Sequence, residues 1–123
     1  MKKLILLLAL TFPFAAFAQS NYTGIWATDT DQPMEYYSIH QNGNDIVVAT
    51  LDASKGQWSA YEGVLTDAQV TLRSIFSIGA DISVEVQFTS PTQAQFTILS
   101  CKANPEYFCA LPIDIPFPMK KIF

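Results

Sequence analysis

Asp81-Ile82-Ser83-Val84-Glu85-Val86-Gln87-Phe88-Thr89-Ser90-Pro91-Thr92-Gln93-Ala94-Gln95-Phe96-Thr97-Ile98 is the stretch whose reading decides the fold. Ile82, Val84, Val86 and Phe88 share one phase of a two-residue period, with Asp81, Ser83, Glu85 and Gln87 in the other. After a turn at Ser90-Pro91-Thr92 the period resumes: Ala94, Phe96 and Ile98 point one way, Gln93, Gln95 and Thr97 the other. Successive side chains of a strand alternate between faces, so this is a hairpin with one buried and one wet face.

The same signal extends in both directions. Asn42-Gly43 is a strong two-residue hairpin turn, because a type I′ turn needs positive φ at both central positions. Centring the turn there pairs Gln41 with Asn44, His40 with Asp45, Ile39 with Ile46, Ser38 with Val47 and Tyr37 with Val48. Tyr37, Ile39, Ile46 and Val48 then share a face. Strands over Gln57 to Leu65 and Gln69 to Phe76 are joined at Thr66-Asp67-Ala68, and Ser77-Ile78-Gly79-Ala80 leads to Asp81. A first strand from Tyr22 to Thr28 and a last near Met119 to Phe123 bring the total to about eight. Prolines 112, 116 and 118 make the segment after Cys109 an extended connection, since proline cannot donate within a ladder. The expected fold class is all-β, a small antiparallel up-and-down barrel, with a two-sheet β-sandwich as the alternative. Closure removes exposed strand edges, which favours the barrel.

The N-terminus supplies the compartment. Met1-Lys2-Lys3 precedes an apolar run to Phe17, and Ala16-Phe17-Ala18 places small residues two apart ahead of Gln19. This is the layout of a secretory signal peptide over residues 1–18. The run is shorter than the roughly 20 residues of a spanning helix and is interrupted by Pro13, so the expectation is cleavage rather than anchorage. Residues 19–123 then form a single β-barrel domain, periplasmic or secreted. In that part five basic residues (Lys55, Arg73, Lys102, Lys120, Lys121) face eleven acidic ones, a formal charge of −6. Such a balance opposes a role on nucleic acid, which needs clustered Lys and Arg. It suits a cationic envelope or extracellular protein as partner.

Cys101 and Cys109 are the only cysteines, and in exported sequence they are expected to pair as a structural staple. They show neither C-x-x-C spacing nor a neighbouring histidine, so redox and metal roles are disfavoured. His40 is the single histidine. Opposite Asp45 it reads as a hairpin-end ion pair, with no motif for a nucleophile beside it. Asp29-Thr30-Asp31 is a loop doublet without the rest of a calcium loop, so no metal site is assigned. Glu35, Glu62 and Glu85 could supply paired carboxylates for hydrolysis, but alternation in strands produces such residues routinely, and they read as solvated faces. No cofactor motif is present, and the chain is read as non-enzymatic. The C-terminal Phe123 is a feature of outer-membrane barrels, yet Lys120-Lys121 and the prolines spoil a lipid-facing last strand, so no membrane role is expected after leader removal.

The first mature strand holds Gly24-x-Trp26 within Asn21-Tyr22-Thr23-Gly24-Ile25-Trp26. This resembles the G-x-W that opens the first strand of lipocalins and their calycin relatives. The resemblance implies an eight-stranded barrel closed at one end by the tryptophan, and a binding rather than a catalytic function. The family's T-D-Y-type second motif and its C-terminal helix are missing, which leaves the ligand cavity in question more than the barrel. The chain is also similar in size, disulfide use and architecture to small exported barrels that inhibit lysozyme in bacterial envelopes. Their S-G-x-x-Y-type loop has no counterpart, as Ser59-Ala60-Tyr61 lacks the glycine and the spacing. An eight-stranded barrel is just wide enough for side chains to fill, so the aromatic residues are expected mainly in the core. For a ligand, Trp26, Tyr36, Trp58 and Tyr61 are the expected contacts, combining apolar area with a polar tip. The leading expectation is therefore an exported, non-catalytic protein binding a small apolar ligand or an envelope or extracellular protein, with inhibition of a cell-wall hydrolase such as lysozyme as the alternative.

Overall fold

In a computed structural model, eight antiparallel strands follow one another around a closed barrel: β1 (Gly24–Thr28), β2 (Glu35–Asn42), β3 (Asp45–Asp52), β4 (Gln57–Thr66), β5 (Gln69–Ser77), β6 (Asp81–Ser90), β7 (Gln93–Lys102) and β8 (Pro116–Lys121). The structure describes residues 19–31, 33, 35–52, 56–77, 81–102, 109 and 112–123. The expected leader, residues 1–18, lies outside them. Each strand pairs with the next, and β8 returns to β1 through Trp26↔Lys121, Ala27↔Lys120 and Thr28↔Met119, so the barrel and not the sandwich is the architecture.

The β6–β7 hairpin pairs Val86 with Phe96 and Phe88 with Ala94 on the inner face, as the alternation predicts. The β2–β3 register differs by one turn position. Asn42 pairs with Asp45, Ile39 with Val48 and Tyr37 with Thr50, so the turn residues are Gly43 and Asn44. Gly43 has φ +60° and Asn44 is not left-handed, the arrangement of a type II′ turn, which puts glycine first. Partners slide by two residues, so every side chain keeps its predicted face. His40 now lies opposite Val47, not Asp45.

The last strand also starts earlier than expected, at Pro116. The Pro118 carbonyl accepts from Asp29 N at 2.9 Å, so the Pro116 and Pro118 phase faces β1, beyond the end of that strand at Thr28. On its other side β8 pairs with β7 from Gln93↔Lys120 to Thr97↔Pro116, and proline is tolerated because its blocked side faces away from that ladder.

Inside, Trp26, Ile39, Ile46, Val48, Leu65, Val70, Leu72, Val86, Phe88, Ala94, Phe96, Ile98 and Met119 form the core. Trp26 is fully buried and donates from Nε1 to the Tyr22 carbonyl at 2.9 Å. Tyr22 in turn stacks on Phe88 at 3.7 Å between ring centroids, and Phe88 meets Trp26 edge-on. The segment before β1 thus plugs one end of the barrel. Gln19 and Tyr22 tie it to the β2–β3 turn and to Gln41 through side-chain hydrogen bonds.

Cys101 and Cys109 are joined by a disulfide, which closes the start of the β7–β8 connection. In the chain-entropy treatment a loop of this length stabilises the fold by about 2 to 3 kcal/mol. Reduction under native conditions is expected to lower the unfolding free energy by that amount, measured by urea titration with and without reductant.

Candidate functional site

A meander sends alternate connections to opposite ends. At the plugged end the three turns are two residues each: Gly43-Asn44, Asp67-Ala68 and Pro91-Thr92. At the other end the connections span 29–34, 53–56, 78–80 and 103–115. Binding residues concentrate on loops held by a rigid scaffold, so the end with the longer connections is the candidate for a site. We call that end the mouth.

The interior changes character toward the mouth. Above the buried apolar core, the inward phase of the strands carries Glu35 and Tyr37 on β2, Thr50 on β3, Ser59 and Tyr61 on β4 and Ser74 on β5. Tyr61 is buried, whereas Glu35, Tyr37, Thr50, Ser59 and Ser74 are half-buried although they face inward. Solvent therefore reaches into the upper barrel. The Tyr37 hydroxyl donates to Glu35 Oε2 at 3.0 Å, and the Tyr37 ring leans on Phe96, which stacks on Phe117 at 5.1 Å. Among the described side chains the arrangement is a cup of hydroxyls and the Glu35 carboxylate over an apolar floor.

Burial, reinforced by the charge of Glu35 and its hydrogen bond, pushes the Tyr37 phenol well above the ordinary tyrosine range. Burial raises Tyr61 as well; a hydrogen bond from Ser59 opposes it, and the charges of Glu35 and Asp81 add to it. Both folded-state values exceed the unfolded one, so the native protein keeps protons that the unfolded chain releases. Stability from these groups is complete below about pH 10 and falls above it, by up to about 1.4 kcal/mol per pH unit for each tyrosine. Urea midpoints at pH 8, 10 and 11 should fall mainly over the last interval, and Tyr37→Phe should flatten that fall.

The four aromatics singled out in the sequence do not share one site. Trp26 lies deep in the core, and Tyr61 alone reaches the cup. Tyr36 and Trp58 stand on the outer wall, 42% and 50% exposed, with Leu51 between them through the pairs Tyr36↔Leu51 and Leu51↔Trp58. Trp58 stacks on Phe76 of β5 at 4.4 Å. Of the carboxylates read as solvated, Glu62 is, pairing with exposed Arg73 at 2.8 Å, and Glu85 accepts from Gln69. Glu35 is half-buried like them, but it faces inward, beginning β2 in the same phase as Tyr37 and Ile39. His40 is exposed, with Nε2 3.0 Å from Ser38 Oγ, and Asp29 accepts from Lys120 Nζ at 2.9 Å. A separate depression of about 440 Å³ lies outside the β4–β5 turn, lined by Val64, Thr66, Asp67, Ala68, Gln69, Thr71 and Gln87, and is open to solvent.

Comparison of the chain with protein-family models, curated proteins and solved structures finds no match.

Proposed function

We propose that the chain is an exported, non-catalytic binding protein that takes a small ligand at the mouth of the barrel, its apolar body resting on the Phe96 and Phe117 floor and a hydrogen-bond-donating head on Glu35. The observation that carries this reading is the inward Glu35 carboxylate, held by Tyr37 within a ring of half-buried hydroxyls. A solvent-reached polar cup over apolar rings is the make-up of a small-molecule site, where a few placed polar groups orient a largely apolar ligand. The closed up-and-down barrel, plugged below Gly24-x-Trp26, supports placing the chain beside lipocalins and their calycin relatives.

Native mass spectrometry of the protein purified from its own host tests this directly. A co-purifying mass lost on denaturation supports it, and protein that is ligand-free and stays so in host extract sinks it. With a ligand in hand, Glu35→Gln should weaken binding about ten- to a hundredfold, the cost of losing a charge-assisted hydrogen bond, as read by titration calorimetry.

Inhibition of a cationic cell-wall hydrolase is a second reading, favoured by one observation. Asp31, Asp81 and Asp114 all stand exposed at the mouth end, where the described cations are Lys102, opposite Asp81 in register, and Lys120, held by Asp29. A fall in lysozyme activity on adding stoichiometric protein supports it; unchanged activity removes it.

A further inference from the structure

The outer wall of β2, β3 and β4 carries a ridge with a trough beside it. Tyr36, Leu51 and Trp58 form the ridge as consecutive cross-strand neighbours, each between 42% and 50% exposed. Phe76 of β5, opposite Ala60 in register, stacks its ring on Trp58. One outward position further along each strand, Ser38, Ala49 and Ala60 form a row of small, half-buried side chains. The two rows run parallel, about 6.8 Å apart along the strands.

Monomeric proteins rarely leave a contiguous apolar face of this kind open to water. We propose that it is the interface of a two-fold homodimer, the ridge of each copy seated in the trough of the other. A two-fold contact must be self-complementary, and a ridge beside a matching trough on one wall meets that requirement. Charge selects the same occupant. After leader removal the chain carries −6, so copies repel over most of their surface. Neither row holds a charge, and among the described side chains the neighbouring ions, Glu62 and Arg73, neutralise each other at 2.8 Å. This wall is where an acidic chain meets itself without opposing like charges, while a cationic partner gains nothing from it.

Sedimentation velocity on the full chain, expressed with residues 1–18 in place and purified, tests the proposal. A reversible monomer–dimer equilibrium in the micromolar range, about 1 to 100 µM, is expected. Trp58→Lys should weaken it more than about thirtyfold, as for a central aromatic anchor. Ala49→Arg, which fills the trough, should do the same, and Leu99→Lys on β7 should not. Circular dichroism verifies that each variant keeps its fold, and the two ridge and trough variants check each other. A monomer at every concentration, or a dimer indifferent to both, overturns the proposal. So does a monomer that sediments with phosphatidylcholine vesicles and loses that ability in Trp58→Lys, which would assign the wall to a membrane.

Discussion

Replacing Trp26 with alanine will lower the unfolding free energy by about 3 to 5 kcal/mol, the range for emptying a large aromatic site in a core that relaxes only partly. Three losses coincide. The indole is fully buried, so its whole apolar surface leaves the core. Its edge-on contact with Phe88 goes, and the Tyr22 carbonyl loses the Nε1–H donor that holds the plug in place. Trp26→Phe separates these contributions: it restores much of the ring volume but not the donor, and should cost about 1 to 3 kcal/mol. Urea unfolding followed by circular dichroism measures both, and a cost below 1 kcal/mol for Trp26→Ala would show that the plug and core do not depend on this ring. A stability loss of this size can exceed half the margin of a small domain, so Trp26→Ala should also be recovered in lower yield.

Trp26 also marks how far the fold could be read from the chain. Where apolar residues occupy a single phase, as in Ile82 to Phe88, the period named the inner face and the structure keeps it. Where they occupy both phases, faces were illegible. In Trp58-Ser59-Ala60-Tyr61 the two aromatics are three apart, so one must point out if the other points in; Tyr36 and Tyr37 pose the same choice as neighbours. Phe76 is a subtler case. Counting by twos from Val70 and Leu72 puts it inside, but Ile75 is an extra residue at the break between Ala60 and Tyr61, so Phe76 pairs with Ala60 on the outer wall. A bulge inverts the phase beyond it and leaves no period in the sequence to announce it.

The cup was hidden for a different reason. Glu35 shares its phase with Tyr37 and Ile39, which was visible in the sequence, but a carboxylate at a strand end is ordinarily taken as solvated. Its inward position becomes meaningful only once barrel closure brings Tyr37, Thr50, Ser59 and Ser74 around the same opening, a convergence of four strands that no local pattern encodes. The staple was legible because two cysteines allow one intramolecular pairing. The β8 register was not, because it rests on which side of the strand each proline presents.

Gly24→Ala is expected to cost about 3 kcal/mol and to act at one place, the seam between the first and last strands. Gly24 has φ +150°, a backbone conformation open to glycine and strained by about 1 to 3 kcal/mol for a residue with a Cβ. That Cβ would also fall 2.1 Å from the Phe123 carbonyl oxygen and 2.5 Å from Lys121 Cε. The lysine can swing aside, whereas the carbonyl belongs to the seam itself: Ile25 N donates to Phe123 O at 3.0 Å and Ile122 N to Ile25 O at 2.7 Å. Accommodating the methyl group therefore means releasing the C-terminal residues from β1, with an overpacking cost of about 1 to 3 kcal/mol if they stay. The two routes have different signatures. If the seam opens, the amides of Ile25 and Ile122 lose hydrogen-exchange protection while Val86 and Phe96 in the β6–β7 hairpin keep theirs, since stability is lost locally before it is lost globally. If it holds under strain, all four lose protection together in proportion to the fall in unfolding free energy. The first is expected, because Ile122 and Phe123 lie past the end of β8 at Lys121 and are tied to β1 by their hydrogen bonds with Ile25. Unchanged protection at Ile25 and Ile122 would mean that the glycine of Gly24-x-Trp26 is not there to let the barrel close.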